Sequence, residues 1–261
     1  MIGLFLGDTV FPEIVLNKII QLKKKHFIVD FSKNSKFKKN NYSYRISIGK
    51  FGKILNLIKK KKSKKVLFAG KISKPKFSSL RLDLKGIYYM PSVIKASKKG
   101  DAAIIKAIVK ILNNEGIKVI SSIRFNPELA LKSGNYTKLK PNNKDLLSIN
   151  TGIKYFMKSN NLDHVQALIV KDGKIIAKEG REGTKNMLSK LKKKTQSILI
   201  KFPKKKQDLR VDLPTIGVQT LKDCKKYGVK GIILRSKKNI ILDKDKCINF
   251  ADKNRIFIKV L

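Results

Sequence analysis

Short apolar runs alternate with amphipathic stretches through the first half of the chain. The apolar runs predict strands over residues 2–6, 27–31, 66–69 and 118–123. Apolar residues that recur at helical spacing predict helices over residues 13–24, 51–60 and 102–113. Asp101 directly precedes the last helix, at a position where aspartate commonly acts as the N-cap. Strands that alternate with helices predict a parallel sheet.

Strand and helix patterns also follow one another in the second half. Asp172–Gly173 lies between two apolar runs, which is a strong signal of a β-hairpin. Strands are predicted over residues 166–170, 174–178, 197–202, 231–234, 240–242 and 256–260. Helices are predicted over residues 145–159, 182–191 and 218–226, with a short one near Lys244. The hairpin and the later strands together predict a mixed sheet.

A segment without periodicity separates the two halves. Residues 126–144 are rich in Asn, Pro, Gly and Lys, so they are predicted to be a linker. The fold class is therefore α/β with two domains. Residues 1–125 are predicted to form a Rossmann-like domain with a mostly parallel sheet, and residues 145–261 an α/β domain with a mixed sheet. We expect the active site in the cleft between these domains.

The composition is strongly basic, with 61 Lys and Arg residues against 18 Asp and Glu residues and a net charge of +43. Such a charge attracts a protein to anionic lipid or to nucleic acid. However, Lys, Ile and Asn are all abundant and the lysines are spread over the whole chain, which favours a compositional bias of the gene. Aromatic residues are not interleaved with the lysines as base stacking requires, which disfavours nucleic-acid binding.

Several patterns that would indicate another class of protein are missing. No window of about 18 uncharged apolar residues occurs, so no transmembrane helix is expected. The apolar N-terminus carries Asp8 and Glu13 and lacks a basic start, so it is predicted to be a buried strand and not a signal peptide. A cytoplasmic location is therefore expected. Cys224 and Cys247 are expected to be reduced thiols, and with two isolated histidines they do not predict a zinc site.

The segment Gln207–Gly217, with the sequence QDLRVDLPTIG, holds the densest group of candidate site residues. Its charged members are Asp208, Arg210 and Asp212. They alternate with apolar residues, so an extended conformation would place them on one face. Pro214 would end the extended run and Thr215 would cap the next helix. A carboxylate beside a helix N-terminus is well placed to hold a metal ion or a phosphate group.

Other candidate residues combine a glycine with a polar neighbour at a predicted strand end or helix start. They are Gly7 and Asp8, Gly70 and Lys71, Gly100 and Asp101, and Gly183 with Thr184 and Lys185. Strand-to-helix turns of parallel sheets commonly bind nucleotides, and glycine lets a phosphate approach the backbone. The GxGxxG pattern of redox dinucleotide binding is missing. An ordinary turn or helix cap is the alternative interpretation of each group.

The segment RVDLPTIG resembles a motif of the LpxI family, the UDP-2,3-diacylglucosamine pyrophosphatases of lipid A biosynthesis. Other segments resemble this family in the same order along most of the chain. They are residues 48–54 (IGKFGKI), 68–75 (FAGKISKP), 83–86 (DLKG), 99–102 (KGDA), Glu179 and residues 182–184 (EGT). The chain departs from the family pattern at Asp8, Lys74 and Lys185, where we expect glycine, arginine and aspartate.

The resemblance implies a hydrolase that cleaves UDP-2,3-diacylglucosamine to UMP and 2,3-diacylglucosamine 1-phosphate (lipid X). Water would attack the α-phosphorus, and Mg²⁺ or another divalent cation would assist. Asp212 would be the essential carboxylate, as metal ligand or as the group that positions water, and Arg210 would bind phosphate or orient Asp212. The expected metal ligands are Asp212, Asp208 and Glu182. The expected substrate-binding residues are Thr215 and the glycine-containing groups named above, and residues 145–261 would be the catalytic domain.

The expected partners follow from the same resemblance. Two acyl chains on the substrate imply an apolar groove and access to a membrane, so we expect peripheral association with the inner face of the inner membrane. A homodimer is left open. Two alternatives remain: a nucleotide-sugar-binding or lipid-binding α/β protein without hydrolase activity, which the departures at Asp8, Lys74 and Lys185 favour, and a basic nucleic-acid-binding protein.

Overall fold

A parallel sheet lies in the N-terminal part of the chain. Its strands are β1 (Ile2–Leu6), β2 (His26–Asp30), β3 (Ser43–Tyr44), β4 (Lys65–Ala69) and β5 (Lys118–Val119). In β1, β2 and β4 four of the five residues are buried, as in sheets covered on both faces. The order β3-β2-β1-β4-β5 reverses its direction of growth between β1 and β4. Nucleotides commonly bind at such a reversal, outside the carboxyl ends of the strands.

Helices connect the strands of this sheet. They are α1 (Phe11–Gln21), α2 (Phe51–Lys60), α3 (Leu84–Ser97) and α4 (Asp101–Asn114). The bounds of α2 confirm the prediction. Helix α1 begins earlier than predicted because Pro12 suits the first turn of a helix. Helix α3 was not predicted, since Gly86 and Pro91 weaken the helical pattern of its sequence.

The prediction of Asp101 as the N-cap of α4 is wrong. Asp101 is the first helical residue, Gly100 is the N-cap with a φ of 108°, and the N-cap makes no side-chain hydrogen bond to the helix. Glycine adopts this φ easily, so the chain enters the helix one residue earlier than the aspartate pattern indicates. The Asp101 carboxylate instead lies in the first turn, where a negative charge favours the helix dipole.

The second sheet is mixed, as predicted. Its strands are β6 (Gly134–Asn135), β7 (Ala167–Lys171), β8 (Lys174–Lys178), β9 (Ser197–Lys201), β11 (Val229–Leu234) and β13 (Phe257–Val260), and β10 (Thr215–Ile216) with β12 (Ile240–Ile241) forms a separate parallel pair. Strands β9, β11 and β13 are parallel neighbours, and the others in the order β6-β13-β11-β9-β7-β8 are antiparallel additions. The β7–β8 hairpin is confirmed, with positive φ at Asp172 and Gly173 as its tight turn requires.

Two apolar clusters lie on opposite faces of the mixed sheet. The helices of this part are α5 (Asn143–Lys158), α6 (Gly183–Ser189), α7 (Val218–Lys226) and α8 (Lys244–Lys253). Along β7, Ala167 and Ile169 belong to one cluster and Leu168 and Val170 to the other. Because successive side chains of a strand point to opposite faces, the first four residues of β7 are all apolar.

The computed structural model describes residues 1–73, 75–158, 165–180, 182–191, 196–205 and 207–261. They form two units, one of Met1–Pro127 with Arg210–Asp212 and one of Glu128–Leu209 with Leu213–Leu261. Within the predicted linker, β6 pairs with β13 and so belongs to the second unit. None of the helices in the described ranges combines the length and apolar character that a membrane crossing requires. Lys74 lies outside these ranges.

Candidate functional site

The strand ends at the reversal of the N-terminal sheet are joined directly. The Asp8 backbone N–H donates to the Lys71 carbonyl at 2.8 Å, and the Lys71 N–H donates to the Asp8 carbonyl at 3.1 Å. Asp8 follows β1 and Lys71 follows β4, the two strands between which the sheet order reverses. The structure therefore brings together the predicted group Gly7, Asp8, Gly70 and Lys71.

Both glycines of this group are required by the backbone that faces them. A Cβ atom on Gly7 would lie 2.4 Å from the Lys71 carbonyl oxygen. A Cβ atom on Gly70 would lie 2.3 Å from the Asp8 carbonyl oxygen, and Gly70 also has a φ of +83°. These glycines let two turns close against each other, which accounts for them without a ligand. Phosphate binding at this edge stays a prediction.

The turn after β1 is strained and basic. Thr9 has a φ of 87°, which is unusual for a β-branched residue and is a kind of strain found at functional sites. The Lys36 ammonium group donates to the Thr9 carbonyl at 3.0 Å and pairs with Glu13 at 2.8 Å. The Asp8 carboxylate accepts the Lys33 backbone N–H at 3.1 Å. One lysine side chain, that of Lys36, therefore lies at the turn after β1, where it also pairs with Glu13.

Asp30, at the end of β2, has a structural role that the sequence pattern did not reveal. Its carboxylate is buried and accepts the Ser32 backbone N–H at 2.8 Å and the Ser32 hydroxyl at 2.6 Å. The Phe37 N–H and the Arg45 guanidinium group contribute longer hydrogen bonds of 3.3 and 3.4 Å. In dinucleotide-binding folds an acidic residue in this region binds a ribose. Here the carboxylate holds the following loop.

The segment Arg210–Asp212 is anchored to the N-terminal sheet. The Ser122 N–H, just after β5, donates to the Arg210 carbonyl at 2.9 Å. Val211 packs against the apolar cluster of the N-terminal unit. Because β5 is parallel to β4, this anchor lies at the edge of the sheet where Gly70 and Lys71 follow β4. Asp212 is thus held by a segment fixed at the edge where parallel sheets bind nucleotides.

The prediction of an extended run through this motif is wrong. Residues 209–211 form a turn, so the charged residues do not share one face of a strand. The prediction that Thr215 caps α7 is also wrong, because Gly217 is the N-cap. Thr215 lies in β10, and its hydroxyl donates to the Leu213 carbonyl at 3.0 Å. Pairing of β10 with β12 keeps the chain extended past Pro214 and delays the helix.

Thr184 lies in a buried polar cluster of the second unit. Its hydroxyl donates to the Glu179 carboxylate and accepts a hydrogen bond from the Lys201 ammonium group at 2.6 Å. Glu179 and Lys201 have side chains only 7% and 9% exposed, with 3.9 Å between their charged atoms. The hydroxyl therefore bridges a buried ion pair. Lys201 was missed by sequence reasoning, because a lysine that ends an apolar strand is usually solvated.

A second polar group of this unit carries a donor without a partner. Gln207 accepts hydrogen bonds through Oε1 from the Gln166 side chain at 2.8 Å and from the Lys204 N–H at 2.9 Å. Its Nε2 atom is buried and has no hydrogen-bond partner in the part of the chain that the structure describes. Such a donor is costly unless an acceptor satisfies it. A ligand oxygen is one acceptor that would do so, and Gln207 directly precedes Asp208.

The start of α6 offers less to a ligand than its sequence suggested. Gly183 begins the helix with a φ of +85°. The exposed Glu182 carboxylate interacts with Asn186 and with Lys190, the latter at 3.6 Å. Lys185 lies in the first turn of this short helix. The contacts of Glu182 thus stay within α6 and the residue after it.

The described ranges contain no group of three or more His, Cys, Asp or Glu side chains able to hold a metal ion. Asp212, Asp208 and Glu182 therefore do not form a closed three-carboxylate site. Aspartate oxygens nevertheless suit Mg²⁺, which proteins commonly bind through one or two carboxylates together with substrate phosphates and water. The metal-ligand set Asp212, Asp208 and Glu182 therefore stays a prediction.

Gly100 and Asp101 lie at the N-terminus of α4. This helix leads through a short turn into β5, so its N-terminus lies on the side of the sheet where the strands end. That side is the one that carries Gly7, Asp8, Gly70 and Lys71. The topology therefore places this predicted pair towards the same edge.

Two of the recognised sequence segments meet at one carboxylate. Asp83 is the N-cap of α3 and accepts the Gly86 N–H at 2.8 Å. It also accepts the N–H groups of Gly52 and Lys53, at 3.0 Å each, in the first turn of α2. Burial opposes ionisation of Asp83, but these backbone hydrogen bonds outweigh it and hold its pKa below the usual value. One side chain therefore caps two helices.

Comparisons with known proteins agree with this organisation. The family model described as LpxI N-terminal domain matches residues 1–129, and the model described as LpxI C-terminal domain matches residues 132–259. The UDP-2,3-diacylglucosamine pyrophosphatase LpxI of Caulobacter vibrioides is 31% identical over 223 residues, which cover 82% of this chain and 80% of that protein. The first matched region ends at residue 129 and the second begins at residue 132, close to the boundary of the two units between Pro127 and Glu128.

Proposed function

The chain belongs to the LpxI family, and we propose that it hydrolyses the pyrophosphate of UDP-2,3-diacylglucosamine. The products would be UMP and 2,3-diacylglucosamine 1-phosphate, in a step of lipid A biosynthesis. The observation that carries this proposal is the match of both family domains over nearly the whole chain. The segment Arg210–Asp212, which is anchored at the carboxyl edge of the N-terminal sheet, supports it.

In the proposed reaction a water oxygen bonds to the α-phosphorus while the bond from that phosphorus to the bridging oxygen breaks. The leaving group is the lipid 1-phosphate, and the water proton passes to Asp212 or to solvent. Asp212 would orient the water or accept its proton, which is the role of a positioned carboxylate in general base catalysis. Arg210 would bind a phosphoryl oxygen or orient Asp212.

A divalent ion, when bound, would neutralise charge on the phosphoryl oxygens. We propose Asp212 and Asp208 as its ligands, and Glu182 as a ligand only if its contacts within α6 are released. Lys71, together with Gly7, Asp8 and Gly70, would face the nucleotide phosphates at the reversal of the sheet. A basic side chain there would offset the same developing charge.

The remaining residues proposed to bind substrate either lie at the start of a helix or already make hydrogen bonds within the protein. Gly100 and Asp101 would contribute the N-terminus of α4, where an anion is favoured. Gly183 and Lys185 would contribute the start of α6. The hydroxyls of Thr184 and Thr215 already make hydrogen bonds within the protein, so contact with substrate would require them to exchange partners.

The proposal is tested with Asp212→Asn, which keeps the side-chain shape but removes the charge. We expect a folded protein whose kcat for release of UMP is lower by about 10²–10⁴. The matched control is Asp223→Asn on α7, where the carboxylate accepts a hydrogen bond from Gln219 at the surface. Near-normal turnover by the folded Asp212 variant would remove Asp212 from the mechanism.

Membrane association is part of the same proposal. The substrate carries two acyl chains, and the protein carries a net charge of +43 that an anionic surface attracts. We propose that the protein works at the periphery of the inner face of the inner membrane. Binding to vesicles that does not change with salt concentration or with lipid charge would contradict the proposed membrane association.

The second candidate function is a nucleotide-sugar-binding protein without hydrolase activity. The observation that favours it is the replacement of an expected aspartate by Lys185 and of an expected glycine by Asp8. Such a protein would bind UDP-2,3-diacylglucosamine but release no UMP with any divalent metal. The assay with wild-type protein separates the two functions.

A further inference from the structure

The hairpin of α3 and α4 contains a long apolar stretch in which no residue is fully buried. No residue from Ile87 to Ile108 is buried, although every residue of this range is described. The range is rich in Ile, Val, Ala, Met and Tyr. Helices of soluble proteins normally bury one apolar face. An unburied apolar helix face of this kind marks an interaction site.

The exposed apolar residues of α3 form one continuous stripe. Its members are Leu84, Ile87, Tyr88, Pro91 and Ile94. Their spacing of three and four residues places them on one face of the helix. Leu84 is 86% exposed and Tyr88 is 74% exposed, so most of the surface of the outermost members faces solvent.

The opposite side of α3 is held firmly. The Glu115 carboxylate, just after α4, accepts the Lys85 ammonium group at 2.7 Å and the Tyr89 hydroxyl at 2.5 Å. These two hydrogen bonds keep the pKa of Glu115 below its usual value. The double cap by Asp83 fixes the start of the helix. The stripe is therefore presented on an anchored helix.

The charge around the stripe indicates its partner. Residues 84–110 contain six lysines and one carboxylate, that of Asp101. Lys95 and Lys98 continue the stripe along the same face in the last turn of α3 and just beyond it. A helix with apolar residues on its outer face and lysines beside them matches an anionic lipid surface, in which it buries the apolar side chains and pairs the lysines with phosphate groups.

We propose that the outer face of α3, formed by Leu84, Ile87, Tyr88, Pro91 and Ile94, docks the protein onto an anionic lipid bilayer. The inference deepens the proposed function and rests on it, because a diacylated substrate is met at such a surface. Lys95, at the end of α3, and Lys98 and Lys99, in the turn before α4, contact the lipid phosphates. The apolar residues enter the region between headgroups and acyl chains.

The test compares two sets of variants for binding to vesicles that contain no substrate. The docking variant is Leu84→Gln with Ile87→Gln and Tyr88→Gln. The control is Leu147→Gln with Met157→Gln, which removes exposed apolar residues from α5 without touching α3. We expect the docking variant to bind vesicles of phosphatidylglycerol and phosphatidylcholine about 10-fold more weakly or worse, and the control to bind as wild type.

The charge component is tested with a second pair of variants. Lys95→Gln with Lys98→Gln and Lys99→Gln should weaken binding to the same vesicles about 10-fold and flatten its dependence on salt. The control removes three exposed lysines of α8, namely Lys244, Lys246 and Lys253. Equal losses in the two sets would show that overall charge alone causes binding and would overturn the assignment to α3.

Hydrolysis of detergent-dispersed substrate separates this inference from the proposed function. We expect unchanged turnover by the docking variant, together with its weaker vesicle binding. Unchanged vesicle binding with lost turnover would mean that the stripe holds the substrate acyl chains. Unchanged vesicle binding with a smaller mass in sedimentation would mean that it joins two copies of the chain. Either result overturns the inference. A wild-type protein without turnover, but with the expected vesicle results, would overturn only the proposed function.

Discussion

Replacing Asp83 should show how strongly one carboxylate stabilises the N-terminal unit. Its Oδ1 accepts the N–H groups of Gly52 and Gly86, and its Oδ2 accepts the N–H of Lys53. Asp83→Ala removes all three bonds and leaves two helix starts without a side-chain acceptor. Asp83→Asn keeps one oxygen and loses mainly the bond from Lys53. The two variants should therefore differ in a predictable order.

The magnitude follows from the number of helices that Asp83 caps. Loss of an aspartate N-cap costs about 0.5–2 kcal/mol for one helix, so Asp83→Ala should lower the free energy of unfolding by about 1–4 kcal/mol. Asp83→Asn should cost about a third of this, because one of three bonds is lost. In a domain of this size each kcal/mol lowers Tm by about 2–4 °C. The shift for alanine is thus readily measured by circular dichroism.

The same prediction has a defined dependence on pH. The pKa of Asp83 is lower in the folded protein than in the unfolded chain, where it is about 3.9. The stabilisation is therefore present above the unfolded pKa and is lost as the pH falls through the folded pKa. The difference in Tm between wild type and Asp83→Ala should be constant near neutral pH and shrink in acid.

Asp101→Ala is the matched control for the change of charge. Asp101 also lies at the start of a helix of the same unit, but it is not an N-cap. We expect its replacement to cost only the interaction with the helix dipole, about 0.3–1 kcal/mol. Equal losses of stability in Asp83→Ala and Asp101→Ala would refute the double cap. A difference in Tm between wild type and Asp83→Ala that stays unchanged in acid would refute it as well.

Three further predictions concern close packing, the buried ion pair and the thiols. Gly70→Ala should lower stability by about 1–3 kcal/mol in denaturant titrations, because its Cβ would meet the Asp8 carbonyl, whereas Gly180→Ala, with open space around it, should not. Thr184→Val should lower the free energy of unfolding by about 1–3 kcal/mol, because a buried ion pair loses its bridging hydroxyl. A rise in KM without a loss of stability would instead show that the hydroxyl binds the substrate. Burial raises the pKa of the Cys247 thiol to about 11 and also raises the pKa of the Cys224 thiol. Neither thiol should therefore react with iodoacetamide near neutral pH until the protein is unfolded, and rapid labelling of the native protein would contradict this.

Local patterns predicted the regular elements well. The bounds of α2 and α7 and the hairpin at Asp172–Gly173 follow from periodicity and turn chemistry within a few residues of sequence. Helix α3 was missed because its interior proline and glycine oppose the helical pattern, while its stability comes from Asp83 and Glu115. These contacts cannot be predicted from the sequence of α3 alone.

The candidate site shows the same division between local and distant causes. The family motif identified Asp212, and strand ends identified the turns at Gly7 and Gly70. The turn at residues 209–211 could not be predicted, because the Ser122 N–H and the packing of Val211 impose it from far away in sequence. Lys201 was missed for a related reason: its burial depends on Glu179 and Thr184, which reach it only in the folded sheet.

The most direct test of the central claim is the fate of the oxygen atom of water. The wild-type protein is incubated with UDP-2,3-diacylglucosamine and Mg²⁺ in water enriched in ¹⁸O, and the products are weighed by mass spectrometry. We predict UMP that carries the label and unlabelled 2,3-diacylglucosamine 1-phosphate. Label on the lipid product would contradict attack at the α-phosphorus, and failure of the folded protein to release UMP with any divalent metal would contradict the hydrolase itself.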